Sequence, residues 1–138
     1  MANTFQLQLV TPERILIDEQ VNTVEIPGRG GYFGVLAGHA PLLGALDPGI
    51  LTFEGGKSDD REFFIDGGFV EVCDNHVRVL ADHAEPRQDV QAGDSEQRLK
   101  EGTEALRKAQ TPHEVDVAMT AVKKAQARLD TVRNQPEQ

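Results

Sequence analysis

Apolar and polar residues alternate along the first eighty positions of the chain. Phe5, Leu7 and Leu9 are separated by Gln6 and Gln8, the period of a strand with one face buried. Thr11-Pro12-Glu13 breaks this run, and Arg14–Ile17 predicts a second short strand. Asp18-Glu19-Gln20 reads as a polar turn, after which Val21, Val24 and Ile26 lead to Pro27. From Pro27 to Leu43 five glycines stand among aromatic and aliphatic residues, with Pro41 near the far end. Each glycine inside a helix costs about 1 kcal/mol relative to alanine, so helix is disfavoured here. The stretch predicts a tight turn, a short strand at Tyr32–Leu36, and a bend at Gly38–Pro41 that re-aims the chain into Leu42–Leu46.

Asp47-Pro48-Gly49 is a strong turn signal. Ile50–Phe53 and Glu62–Ile65 flank the polar segment Glu54–Arg61 and predict a hairpin. Turns are expected at Asp66-Gly67-Gly68 and Asp74-Asn75, with strands at Phe69–Val72 and Val77–Leu80. Many short strands broken by glycine and proline indicate an antiparallel sandwich or barrel.

Near residue 85 the period changes, and no aromatic residue follows Phe69. Gln91–Lys108 favours helix apart from Gly93 and Gly102. Thr111-Pro112-His113-Glu114 has the form of a capping box with proline at the first helical position. Beyond it Val115, Ala118, Val122, Ala125, Leu129 and Val132 fall in one stripe. The earlier helix has a poorer stripe of Leu99, Leu106 and Ala109, with Thr103 in the row. So short a connection predicts an antiparallel helical hairpin. The stripes are thin and alanine-rich, so the pair is expected to hold together and dock weakly. A frayed appendage and a mobile element whose docking is part of function both fit. The chain is thus α+β, with a sandwich over 1–86 and a two-helix hairpin over 87–138.

The formal net charge is −9, which disfavours non-specific binding to nucleic acid or acidic lipid. Residues 1–88 carry 14 of the 23 acidic and 6 of the 14 basic side chains, a net of −8, while the remainder is nearly balanced. No stretch approaches the length of a membrane span. Met1-Ala2-Asn3-Thr4 has no basic or apolar signal character, so a cytosolic protein that meets membranes only through partners is expected. The lone Cys73 excludes an internal disulfide and reads as a buried, inert thiol in the run Phe69–Cys73.

Candidate chemistry is sparse. Gly56-Lys57-Ser58 resembles the end of a P-loop, but Leu51 stands at the first glycine position and Asp59-Asp60 follow where phosphate would lie. The histidines His39, His76, His83 and His113 lack zinc spacing. Asp59, Asp60, Glu62 and Asp66 read as a solvated face, without the pattern of a calcium loop. Neither catalytic residues nor a cofactor is expected.

The motifs Val10-Thr11-Pro12-Glu13, Gly34-Val35-Leu36, Gly38-His39-Ala40-Pro41-Leu42, Pro48-Gly49 and Gly67-Gly68-Phe69-Val70-Glu71-Val72 occur in an order and spacing that resemble the epsilon subunit of bacterial F-type ATP synthases. The resemblance covers nearly the whole chain. It implies a flattened antiparallel β-sandwich of about ten strands and a C-terminal helix hairpin. It also implies a place in the central rotor stalk of a proton-translocating synthase, at the cytoplasmic face of the bacterial inner membrane. The sandwich would bind the gamma subunit and rest on the c-ring. The hairpin would either extend along gamma toward the alpha/beta catalytic head and inhibit ATP hydrolysis, or fold against the sandwich.

Residues matching the family's partner-facing loops are Arg29, Gly31, Tyr32, His39, Pro41 and Leu42. The family's ATP-binding positions match at Glu85, Val90, Lys124 and Arg128. The central motif departs: Gln91 replaces its Asp, Asp94 its Arg and Ser95 its Ala. An aspartate there would face phosphate with a negative charge. Tyr32 stands where an acidic residue often meets the c-ring. Two other readings are a free-standing β-sandwich binding module with a regulatory helical tail, and an enzyme using His39 with nearby carboxylates.

Overall fold

The computed structural model describes residues 3–133. Met1 and Ala2, to which the reading of the N-terminus applies, and residues 134–138 lie outside the described part. The chain divides into two compact units, 1–86 and 87–138.

Unit one is a single eight-stranded mixed sheet. Its strands are β1 Phe5–Val10, β2 Ile15–Val21, β3 Thr23–Gly28, β4 Gly31–Leu36, β5 Leu42–Glu54, β6 Glu62–Cys73, β7 His76–Ala81 and β8 Ala84–Pro86. The order is β2-β1-β7-β6-β5-β3-β4, with β8 also on β6. Pairing is antiparallel except between β1 and β7. All eight strands contribute to one core, including Phe5, Leu7, Leu9, Val24, Ile26, Phe53, Ile65 and Val79. The sheet curls so that β4 approaches β1, β6 and β7: Val35 and Leu36 line a narrow crevice with Phe5, Val72 and Val77.

The expected turns at Asp47-Pro48-Gly49 and Asp66-Gly67-Gly68 are not turns. They lie inside the long strands β5 and β6, where Leu46 pairs with Gly68 and Pro48 with Asp66. The resemblance implies about ten strands; the described residues form eight. The proline is tolerated because the β3–β5 ladder is interrupted between Glu25 and Gly28, and interruptions are where a sheet accepts proline.

Asp18-Glu19-Gln20, expected as a turn, belongs to β2. Its polar side chains serve the edge of the sheet. Gln6 Nε2 donates to Asp18 Oδ1 (2.6 Å) and Gln20 Nε2 to Gln6 Oε1 (2.7 Å). The Glu19 carboxylate reaches the loop containing Gly56-Lys57-Ser58, where the Ser58 N–H donates to it (3.3 Å). The P-loop-like segment thus lies on an internal carboxylate.

Cys73 is exposed, contrary to the expectation of burial. Val70 and Val72 face the core, so strand alternation turns Cys73 outward. The neighbouring Asp74 charge, then partial desolvation, raise its thiol pKa, which keeps the thiol protonated.

The β6–β7 turn has positive φ at Asp74 (51°) and Asn75 (60°), as a two-residue hairpin requires. Asn75 also ties down two neighbours. Its Oδ1 accepts from the Gly38 N–H (2.9 Å) and its Nδ2 donates to Thr4 O (2.8 Å). Asn75→Ala loses both bonds and strains the positive φ, at a cost of about 3 kcal/mol. Asn75→Gly loses the bonds alone, about 2 kcal/mol. Urea unfolding should rank the pair in that order; equal losses would mean that the backbone conformation contributes nothing.

Unit two holds a 3₁₀ turn Arg87–Asp89 and two helices, α1 Ala92–Lys108 and α2 Pro112–Arg133. The α2 cap forms: the Glu114 N–H donates to Thr111 Oγ1 (3.1 Å), while the Glu114 carboxylate accepts from Gln110 N–H (2.9 Å), one residue earlier than a regular box. The α2 stripe is inward as expected, with Ala118, Ala125 and Leu129 fully buried. On α1 the row shifts. Thr103 is exposed, and Ser95 and Gly102 are buried in line with Leu99, Leu106 and Ala109.

Gly102 is therefore more than a weak point. A Cβ there would meet Val122 Cγ2 at 3.1 Å and Val122 N at 3.3 Å, so the small residue lets the antiparallel helices approach closely. Gly93, by contrast, has open space around it. Gly93→Ala should stabilise the hairpin by about 1 kcal/mol, and Gly102→Val should destabilise it by about 2 kcal/mol through overpacking. Amide exchange within α1 would read both; slower exchange in Gly102→Val would contradict the close packing.

Candidate functional site

The six loop residues singled out from the sequence separate into two groups. Arg29, Gly31 and Tyr32 lie at the β3–β4 turn and the start of β4, whereas His39 and Pro41 lie in the β4–β5 connection and Leu42 opens β5. The length of β4 divides them, roughly 17 Å for a strand of this size.

The first group is fastened to β5. The Arg29 N–H donates to Ala45 O (3.0 Å), and the Arg29 guanidinium lies 3.9 Å from Asp47 Oδ1. Tyr32 Oη accepts from the Ile50 N–H (2.9 Å). The Tyr32 hydroxyl fits against the bare backbone of Gly49, where a Cβ would come within 2.5 Å of Oη and 2.7 Å of Pro27 Cβ. Arg29 nonetheless keeps 75% of its side chain exposed. In the second group His39 is held locally, its N–H donating to Leu36 O (3.1 Å) and its Nδ1 2.6 Å from Ala40 O.

A larger surface, absent from the sequence-based candidates, runs across the outer face of the sheet. Ala45 pairs with Phe69, Phe69 with Leu80, Leu80 with Val10, and Val10 with Ile15. Directly paired residues share a face, so five strands contribute one apolar row. Phe69 and Ile15 are each 59% exposed and Leu80 47%. Leu43, two positions from Ala45, is the most exposed of the large apolar residues. Val70, Val72, Val77 and Val79 fill the core side of β6 and β7. Phe69 and Leu80 stand at positions where alternation calls for polar residues, and that was the available signal. Ile15 faces outward because the β1–β2 register slips between Leu9 and Val10. Contiguous exposed apolar surface of this kind marks a contact with another macromolecule.

Among the residues matched to nucleotide positions, Glu85 belongs to the sheet unit, and Val90, Lys124 and Arg128 to the helical unit. Val90 and Arg128 are buried. The Asp94 carboxylate lies 3.1 Å from Arg98 Nε and 3.9 Å from Arg128 Nη2, so a carboxylate from α1 faces the arginine of α2. Among the described residues no group of His, Cys, Asp and Glu is placed to hold a metal ion, and no helix is long and apolar enough to cross a membrane.

A sequence model of the β-sandwich domain of ATP synthase delta/epsilon chains matches residues 4–87. The chain belongs to this family. It is 43% identical to the ATP synthase epsilon chain of Solibacter usitatus over 132 residues, 95% of this chain and 97% of that one. It is 42% identical to the epsilon chain of Rhodospirillum rubrum over 120 residues, 80% and 87% of the two chains. Among solved structures, a chain of the Euglena gracilis mitochondrial ATP synthase (OSCP/F1/c-ring) superposes with TM-score 0.79 at 26% identity, covering 96% of this chain and 83% of that one. A chain from the Tetrahymena thermophila mitochondrial ATP synthase central stalk and c-ring shares the fold, with TM-score 0.71 at 20% identity over 94% and 96% of the two chains. Membership over almost the whole length sets aside the free-standing binding module and the His39 enzyme.

Proposed function

We propose that this chain is a non-catalytic rotor subunit in the central stalk of a proton-translocating F-type ATP synthase, passing torque between the c-ring and the catalytic head through the gamma subunit. The observation that carries this reading is the apolar row Ala45–Phe69–Leu80–Val10–Ile15 on an epsilon-type sheet. We assign that face, with Leu43, to gamma. The Arg29–Tyr32 turn is assigned to the c-ring. The protein would then sit peripherally at the cytoplasmic face of the bacterial inner membrane, held there by its partners.

The helical unit is the candidate regulator, inhibiting ATP hydrolysis when it opens and reaches toward the alpha/beta head. Asp94 beside Arg128 supports a hairpin that closes without nucleotide, because the carboxylate repels phosphate from that arginine. Hydrogen exchange of residues 92–133 should therefore be unchanged by millimolar MgATP. Protection by ATP would instead make the hairpin a nucleotide sensor.

Affinity purification of the tagged full-length chain from its own membranes tests the main reading. Gamma and the c subunit should be recovered with it, and their absence would overturn the assignment. His39→Ala should leave the fold intact and weaken recovery a few-fold at most, since the ring's Nδ1 bonds within its own loop, to Ala40 O. Loss of folding would refute that.

A further inference from the structure

The β3–β4 turn has a polarity unlike the rest of its unit. Between Ile26 and Leu46 the only Asp, Glu, Lys or Arg is Arg29, although residues 1–88 carry a net charge of −8. Its guanidinium is three-quarters exposed, and Asp47, itself 25% exposed, backs it at 3.9 Å. A separation that long, at such exposure, holds the side chain only loosely, leaving its donors available to a second acceptor. Three residues away, the Tyr32 oxygen already accepts from the Ile50 N–H. The Tyr32 residue is 55% exposed, and a hydroxyl that accepts one bond keeps its O–H for a second. Gly49 and Pro27 fix the phenol in place from beneath. The turn thus offers a cation and an oriented hydroxyl donor, and no carboxylate of its own.

We infer that this turn recognises an acidic partner loop, one presenting carboxylate oxygens to Arg29 and Tyr32. The inference rests on the reading that the turn faces the c-ring, and it states the chemistry the ring's polar loop must supply. A basic loop would meet Arg29 with like charge and leave the Tyr32 donor without an acceptor.

The test measures association of the labelled full-length chain with the detergent-solubilised gamma–c-ring rotor. Exposed charges at the edge of an interface act mainly on association rate and its salt dependence. At low salt Arg29→Gln should associate about threefold more slowly than wild type and Arg29→Glu about tenfold more slowly, the difference closing at high salt. Tyr32→Phe should dissociate several-fold faster, with thermal unfolding of the free chain reporting any loss from the Ile50 bond. Association of Arg29→Glu at the wild-type rate or faster would overturn the acidic loop while leaving the rotor assignment standing. Failure of the wild-type chain to bind the rotor at all would overturn the assignment and this inference together.

Discussion

Gly68→Ala should destabilise the sheet unit by about 4 kcal/mol or more and lower its melting temperature steeply. Gly68 has φ +128°, a conformation that L-residues rarely adopt. A Cβ there would lie 2.0 Å from Leu80 O and 2.9 Å from Ala81 Cα. Both obstacles are backbone, so no rotamer change relieves them. Leu80 and Ala81 are ladder partners of Phe69 and Gly68, and moving them would break the β6–β7 pairing on which Val70 and Val79 are buried. Loss of about 4 kcal/mol or more is the scale expected for such a change, against total stabilities of about 5–15 kcal/mol. Gly30→Ala is the control: its Cβ would meet nothing within 4 Å, and its effect should stay within about 0.5 kcal/mol. Thermal unfolding followed by circular dichroism distinguishes them. A Gly68→Ala chain melting within a few degrees of wild type would show that the ladder at Leu80 can yield.

The features legible from sequence were those fixed by local periodicity. Phe5, Leu7 and Leu9 announce β1, and Thr111-Pro112-His113-Glu114 announces the start of α2. What was lost depends on neighbours distant in sequence. Asp47-Pro48-Gly49 is turn chemistry by every local rule, yet its paired strand crosses the same level through Asp66, Gly67 and Gly68, and both run on as strands. Asp18 and Gln20 look like turn residues until Gln6 on β1 supplies their partner. Gly102 costs helix propensity locally and repays it at Val122, twenty residues away. Cys73 sits in an apolar run that suggests burial, but its parity opposes Val70 and Val72, and parity decides.

The same distinction governs the candidate site. Family motifs pointed to loops, where glycine and proline make sequence patterns conspicuous. Phe69, Leu80, Val10 and Ile15 belong to four different strands, and only the register joins them. Read singly, each is one more apolar residue in a strand. Leu42 stands beside Leu43 in sequence but pairs with Val72, on the core side of the sheet.

Phe69→Asp combined with Leu80→Asp should abolish assembly while sparing the fold. These side chains pair across β6 and β7 on the outer face and are already exposed to water at 59% and 47%. Charging them removes little core packing. Like charges placed directly opposite cost up to about 1 kcal/mol, which the free sheet should withstand. In a complex the two carboxylates would be desolvated against an apolar partner, a penalty of several kcal/mol. Since 1.4 kcal/mol is tenfold in affinity, binding to gamma should fall by at least about 100-fold. Calorimetric titration of the full-length double variant into purified gamma would measure the fall, and circular dichroism of the free protein would check the fold. Phe69→Ser with Leu80→Ser separates lost apolar contact from buried charge, and should weaken binding less than the aspartates do. Wild-type affinity in the folded aspartate variant would place gamma elsewhere on the sheet and leave the apolar row to a different partner.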